Sequence, residues 1–158
     1  DDLTPTVPVI AHAISEIEKL WGEHKFVCCL YAAAPFVNPE NIIQALDLLQ
    51  QSKAKYAVPV TTFPFPIQRS FKLRSDQTLE MFYPEYASTR SQDLPEAFHD
   101  VGQFYWGRRS SWLDGHSIFS PGAEFILVPR SRVQDIDTVE DWDRAEIIFR
   151  LIEEEFNK

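Results

Sequence analysis

The chain has 158 residues, enough for one domain with a substantial core, and its 44% hydrophobic and 13% aromatic content suits a globular fold. A net charge of −9 argues against nucleic acid or an anionic membrane as the main partner. An acidic protein that handles an anion must gather its few cations locally, so the positions of the arginines are informative. No apolar stretch reaches transmembrane length.

Thr6 is placed to cap a helix over residues 7–21, with Pro8 tolerated in its first turn and Ile10, Ala13, Ile14, Ile17 and Trp21 as its apolar stripe. His12 lies off that stripe, as a surface or supporting histidine does. Residues 25–31 (KFVCCLY) form a continuous apolar run, the pattern of a strand covered on both faces. Within it, the adjacent Cys28 and Cys29 cannot form an ordinary bridge with each other and read as buried free thiols of a reducing cytoplasm. Asn38 then caps a helix with Pro39 in its first position, running to about residue 51 with Ile42, Ile43, Leu46 and Leu49 on its buried side. Residues 56–63 are the next strand. Helix, strand, helix, strand is the rhythm of a parallel α/β sheet.

At Phe63-Pro64-Phe65-Pro66 the rhythm breaks, because alternating prolines end a strand. Residues 69–73 and 78–82 predict a hairpin around Ser75-Asp76-Gln77, residues 83–92 are irregular, and 94–100 suggest a short helix. An aromatic-rich arm over residues 64–100, projecting from a core made of 1–63 and 101–158, cannot bury its own apolar face and suggests a subunit contact. The other reading is an arm folded back onto its own domain. The core resumes with a strand at 103–106, a helical turn at 108–113 and an apolar strand at 122–129.

Gln134-Asp135-Ile136-Asp137-Thr138-Val139-Glu140-Asp141 reads as a strand end running into a helix. Strand residues two apart share a face, so Asp135 and Asp137 point one way and Ile136 the other. Thr138 with Asp141 three residues on is a capping-box pattern, and Trp142, Ala145, Ile148, Phe149, Ile152 and Phe156 follow at helical spacing. The acidic run 153–155 reads as the solvated face of that helix. Two carboxylates at the carboxyl end of a strand suit Mg²⁺, which takes one or two protein oxygens and completes its shell with water and phosphate. The alternative is that the pair only caps and solubilises a helix start.

Three segments carry a resemblance: LYAAAPFVNPENI (residues 30–42), TRSQDLPEAFHDVGQFYWG (89–107) and RVQDIDTVEDW (132–142). They resemble the cytidylyltransferases that activate nine-carbon acidic sugars, and the likeness runs along the whole chain. Asp100-Val101-Gly102-Gln103-Phe104-Tyr105 leans toward the branch acting on pseudaminic acid, since the sialic acid branch generally has an Asn-Gly-Ala-Ile-Tyr type sequence there. The resemblance implies a Rossmann-like nucleotide-diphospho-sugar transferase fold with a projecting β-rich dimerisation arm. It implies Mg²⁺-dependent transfer of CMP from CTP to the sugar's anomeric hydroxyl, with release of pyrophosphate, by a homodimer.

Asp135 and Asp137 are similar to the family's metal ligands, and they are the catalytic and metal-binding candidates. Arg69, Arg90 and Gln92 fall in or beside the arm, where similar enzymes bind the sugar acid with basic and amide groups. Tyr31 falls where the sialic acid relatives carry a Gln, and either lines the sugar site or packs. His99 and Asp100 are expected to be structural. The family also begins with a strand and a Gly/Arg/Lys-rich loop that cradles the CTP phosphates. Glycines 22, 102, 107, 115 and 122 form no such cluster. The chain is therefore expected to be N-terminally incomplete and inactive by itself. The other readings are a sialic acid cytidylyltransferase and a non-catalytic dimerisation or sugar-binding module.

Overall fold

In chain order the computed structural model, which describes residues 3–156, contains α1 (Thr6–Trp21), β1 (Phe26–Leu30), α2 (Pro39–Gln51) and β2 (Tyr56–Thr62). These are followed by β3 (Phe71–Leu73), β4 (Leu79–Met81), β5 (Phe98–Asp100), β6 (Phe104–Arg108), α3 (Arg109–Leu113), β7 (Glu124–Leu127) and α4 (Val139–Phe156). The side chains of Glu154, Glu155 and Phe156, which the sequence places on the last helix, lie outside the described residues. Two units form: one holds the chain through Val60 and again from Asp100 onward, the other is Thr61–His99.

The main sheet has strand order β1-β6-β2-β5, and β7 also pairs with β2. β2 and β7 are parallel along Ala57–Val60, as the helix–strand rhythm predicts. β6, however, runs antiparallel to both β1 and β2 and lies between them, so the sheet is mixed and not parallel throughout. The alternation of side chains along each strand then splits the core in two. Phe26, Cys28, Ala57, Phe104 and Trp106 face α2, where Ala45 and Leu49 are fully buried. Val27, Cys29, Tyr56, Val58 and Tyr105 face the other way, against Ile14 of α1 and Trp112 of α3.

Local chemistry accounts for the helix ends. Asn38 Oδ1 accepts from the Glu40 N–H at 3.0 Å, and Pro39 opens α2 where its missing N–H costs nothing. Arg108 satisfies carbonyls at and just beyond the end of α2. Its Nε donates to Ala54 O (2.8 Å), and its Nη2 to Leu49 O (2.8 Å) and Ser52 O (2.7 Å). Arg109 forks onto the two carboxylate oxygens of Glu18, joining α3 to α1 and holding the Glu18 carboxyl below its ordinary range.

Four local expectations need correction. Thr6 is the first helical residue and not the cap, which is Pro5; its hydroxyl is hydrogen-bonded to that of Tyr31 instead. Trp21 and Ile43 are exposed, because Ile14, Ala45 and Leu49 carry the contacts with the sheet. β1 is flanked on both faces, but its last residue, Leu30, is exposed. Residues 94–100 contain no helix: Pro95 interrupts the segment and Phe98–Asp100 is a strand.

The second unit contains the predicted hairpin. β3 and β4 pair antiparallel with Phe71 opposite Met81, and Gln77 takes the positive φ of 64° that the turn requires. Lys72 and Arg74 both reach Glu80 across the hairpin. Gln68 is buried and donates to Pro95 O at 3.2 Å, and Phe63 N–H donates to Ala97 O at 3.1 Å. The hairpin itself is solvent-facing: Phe71, Leu73, Leu79 and Phe82 are all exposed. No helix among the described residues is long and apolar enough to cross a membrane.

Candidate metal and substrate site

β7 ends at Leu127, and a single 3₁₀ turn at Arg130–Arg132 redirects the chain. The segment from Val133 to Thr138 then has no strand partner, so Asp135 and Asp137 sit in a loop and not at a strand end. The expected division of faces survives without the strand. Ile136 packs with Phe36, Ala145 and Ile152, while Asp135 and Asp137 are exposed.

The capping box downstream is formed. Thr138 Oγ1 accepts from the Asp141 N–H at 3.2 Å, and Asp141 Oδ2 accepts from the Thr138 N–H at 2.9 Å and from the Thr138 hydroxyl at 2.7 Å. These bonds, the Thr138 hydroxyl first, hold the Asp141 carboxyl below its ordinary value of 3.8. Asp141 Oδ2 also accepts from the Asp137 N–H at 3.3 Å, so the cap reaches back to the backbone of the second candidate ligand.

The donor set fits a hard divalent cation. Asp135 uses Oδ1 to accept from the N–H of Ile136 (3.1 Å), which leaves Oδ2 available. The Asp137 carboxylate makes no hydrogen bond or ion pair with the described residues. Among those residues no group of three or more His, Cys, Asp or Glu side chains gathers. Two carboxylate oxygens completed by water and phosphate is the usual composition of a Mg²⁺ site on a phosphate substrate, whereas a closed protein cage suits other ions.

Tyr31 is half-buried at the end of β1. Its hydroxyl bonds Thr6 Oγ1 at 3.0 Å, its ring meets Tyr105 edge-on at 5.4 Å, and its N–H donates to Gln103 O at 2.9 Å. Tyr105 donates to Asp100 Oδ2 at 2.5 Å, and Gly102, in the left-handed region at φ 63°, donates its N–H to Asp100 Oδ1 at 3.3 Å. Burial first, then the Asp100 carboxylate, raises the Tyr105 hydroxyl far above the ordinary tyrosine range, so it stays a donor. Asp100 is thus part of a turn-stabilising pair with Tyr105. The ring of His99 lies against Phe63 at 4.7 Å.

Arg69, Arg90 and Gln92 belong to the second unit, and all three are exposed. The Arg69 guanidinium donates to Thr89 O at 2.6 Å, which draws it to the chain immediately before Arg90. Arg90 Nε is paired with Asp93 Oδ2 at 2.7 Å. Arg69 and Ser91 line one cleft of about 510 Å³ together with Phe63, Phe65 and Ser70. One guanidinium, two hydroxyls and two aromatic faces are a suitable lining for a polyhydroxylated acid, and Arg90 and Gln92 lie outside that lining.

One contact that sequence reasoning missed connects residues 29 apart. The Gln103 amide, at the start of β6, donates to the Arg132 carbonyl at 2.7 Å, just upstream of the aspartates. No spacing rule reveals such a pair, because it depends on where the sheet places β6.

No family model matches. Pseudaminic acid cytidylyltransferase from two strains of Campylobacter jejuni subsp. jejuni is 36% identical over 151 residues, covering 96% of this chain and 65% of the relative. This chain therefore spans just under two thirds of those relatives' length. N-acylneuraminate cytidylyltransferase B of Danio rerio is 27% identical over 134 residues, 84% of this chain and 31% of that protein. Among solved structures, CMP:2-keto-3-deoxy-manno-octonic acid synthetase complexed with CTP superposes with a TM-score of 0.62, covering 95% of this chain and 70% of that one at 10% identity. By sequence along nearly its whole length the chain is related to the pseudaminic acid cytidylyltransferases, and its backbone has the mixed α/β nucleotidyltransferase fold.

Proposed function

We propose that the protein containing this chain is a cytoplasmic, homodimeric cytidylyltransferase that transfers CMP from CTP to the anomeric hydroxyl of pseudaminic acid and releases pyrophosphate. The observation that carries this reading is the 36% identity over 96% of the chain to proteins of that activity. In it, Asp135 and Asp137 hold Mg²⁺, Arg69, Arg90 and Gln92 bind the sugar acid, and Tyr31 is a further substrate-binding candidate. The metal supplies charge stabilisation, since attacking oxygen and leaving pyrophosphate are both anionic. The chain's own contribution is positional. The capping box fixes the backbone around Asp137, and Ile136 anchors the loop between the two carboxylates. Sialic acid is the second candidate substrate, favoured by the similarity to the Danio rerio enzyme.

The test is pyrophosphate release by the intact protein with CTP, Mg²⁺ and a panel of sugar acids. Release that depends on pseudaminic acid supports the reading. Release only with sialic acid selects the second substrate, and none with any acid refutes both.

A further inference from the structure

We infer that Gln103 is a positioning residue for the Asp135–Asp137 loop, acting through its hydrogen bond to the Arg132 carbonyl; this rests on the metal reading of those aspartates.

The loop from Val133 to Thr138 has no strand partner; Ile136 anchors its middle, and side chains hold its two ends. Downstream the anchor is the Thr138–Asp141 capping box. Upstream it is Gln103, whose Nε2 meets Arg132 O at 2.7 Å. Gln103 is itself rigidly held. It follows the turn at Gly102, its own carbonyl accepts from Tyr31, and only 3% of it is exposed.

The other half of the same amide has no such bond. Gln103 Oε1 is buried and has no hydrogen-bond partner among the described residues. An unmatched buried acceptor is destabilising, which offsets what the bond to the Arg132 carbonyl contributes. A buried amide with little net effect on stability, whose one bond goes to the backbone three residues before Asp135, is placed to support the candidate metal loop. The arrangement also fixes which atom matters: only the N–H₂ half of the amide can bond a carbonyl.

The experiment compares the intact protein with Gln103→Met and Gln103→Glu. Three quantities are measured: melting temperature, Mn²⁺ binding from the EPR signal of the free ion, and hydrogen exchange of the amides at 133–137. For Gln103→Met the expected result is an unchanged or raised melting temperature, Mn²⁺ affinity weaker by about tenfold or more, and faster exchange confined to 133–137. Gln103→Glu, whose carboxylate repels the Arg132 carbonyl, should weaken Mn²⁺ binding at least as much. Wild-type Mn²⁺ affinity and exchange in Gln103→Met would overturn the inference. So would a lowered melting temperature with exchange rising evenly across the sheet, which marks a purely structural role. Because none of these readouts uses cytidylyl transfer, an inactive wild-type protein would refute the proposed reaction without deciding the anchor. Mn²⁺ binding unaffected by Asp135→Asn or Asp137→Asn would instead remove the metal reading on which the inference depends.

Discussion

Thr138 and Asp141 cap each other: the threonine hydroxyl accepts the aspartate's N–H at 3.2 Å, and the aspartate Oδ2 accepts the threonine's N–H at 2.9 Å. Two of the donors that open α4 are thereby satisfied by side chains three residues apart. The same carboxylate oxygen takes the Asp137 N–H, so the helix start and the loop before it form one structure.

Replacing Thr138 with Ala should therefore cost about 1 kcal/mol of stability, read from chemical denaturation. The contribution of Asp141 should depend on pH in a definite direction. Its carboxyl is depressed below 3.8 in the folded chain, chiefly by the Thr138 hydroxyl. The added stability is thus present above that value and lost as pH falls through the lower, folded-state value. Asp141→Asn should flatten the acid limb of the stability curve. An unchanged acid limb would contradict the cap.

Gly107 lies in β6 where no side chain fits. A Cβ there would lie 2.3 Å from Trp112 Nε1 and 2.7 Å from Tyr56 Cε1, both in the core. Gly107→Ala should destabilise the chain by about 1–3 kcal/mol or more through overpacking. Thermal melting checks this, and a wild-type melting temperature would mean that β6 and α3 do not pack as described.

The hairpin predicts an assembly. Phe71, Leu73, Leu79 and Phe82 are exposed on two short strands of the second unit. Apolar groups so concentrated favour a partner surface. The intact protein should sediment as a dimer, and the double variant Phe71→Glu, Phe82→Glu should shift it toward monomer without unfolding it. A double variant that sediments with the wild type would place the subunit contact elsewhere.

Local signals carried much of the fold. Asn38-Pro39 marked the start of α2, Thr138 with Asp141 marked that of α4, and the turn at Gln77 centred the hairpin. Each depends on residues within four positions of one another. Thr6 as cap and Trp21 and Ile43 as buried residues were local misreadings, and the remaining failures depend on pairing between distant segments. Asp-Ile-Asp alternates as a strand does, but a strand also needs a neighbour, and after β7 the sheet offers none to residues 133–138. The antiparallel insertion of β6 between β1 and β2 was hidden for the same reason, since strand order leaves no local trace. Phe98–Asp100 became a strand because β2 was there to pair with it. The separation of Asp135 and Asp137 from Ile136 was legible because Ile136 alone is apolar, whatever the backbone around it.

The most direct test of the metal-dependent transfer is turnover of the intact protein carrying Asp135→Asn or Asp137→Asn. Asn keeps the shape of Asp and removes the charge that a cation needs. With CTP, Mg²⁺ and pseudaminic acid, each variant should release pyrophosphate about 100-fold or more slowly than wild type, with an unchanged melting temperature. Wild-type turnover in both variants would contradict the assignment of these two carboxylates to the reaction.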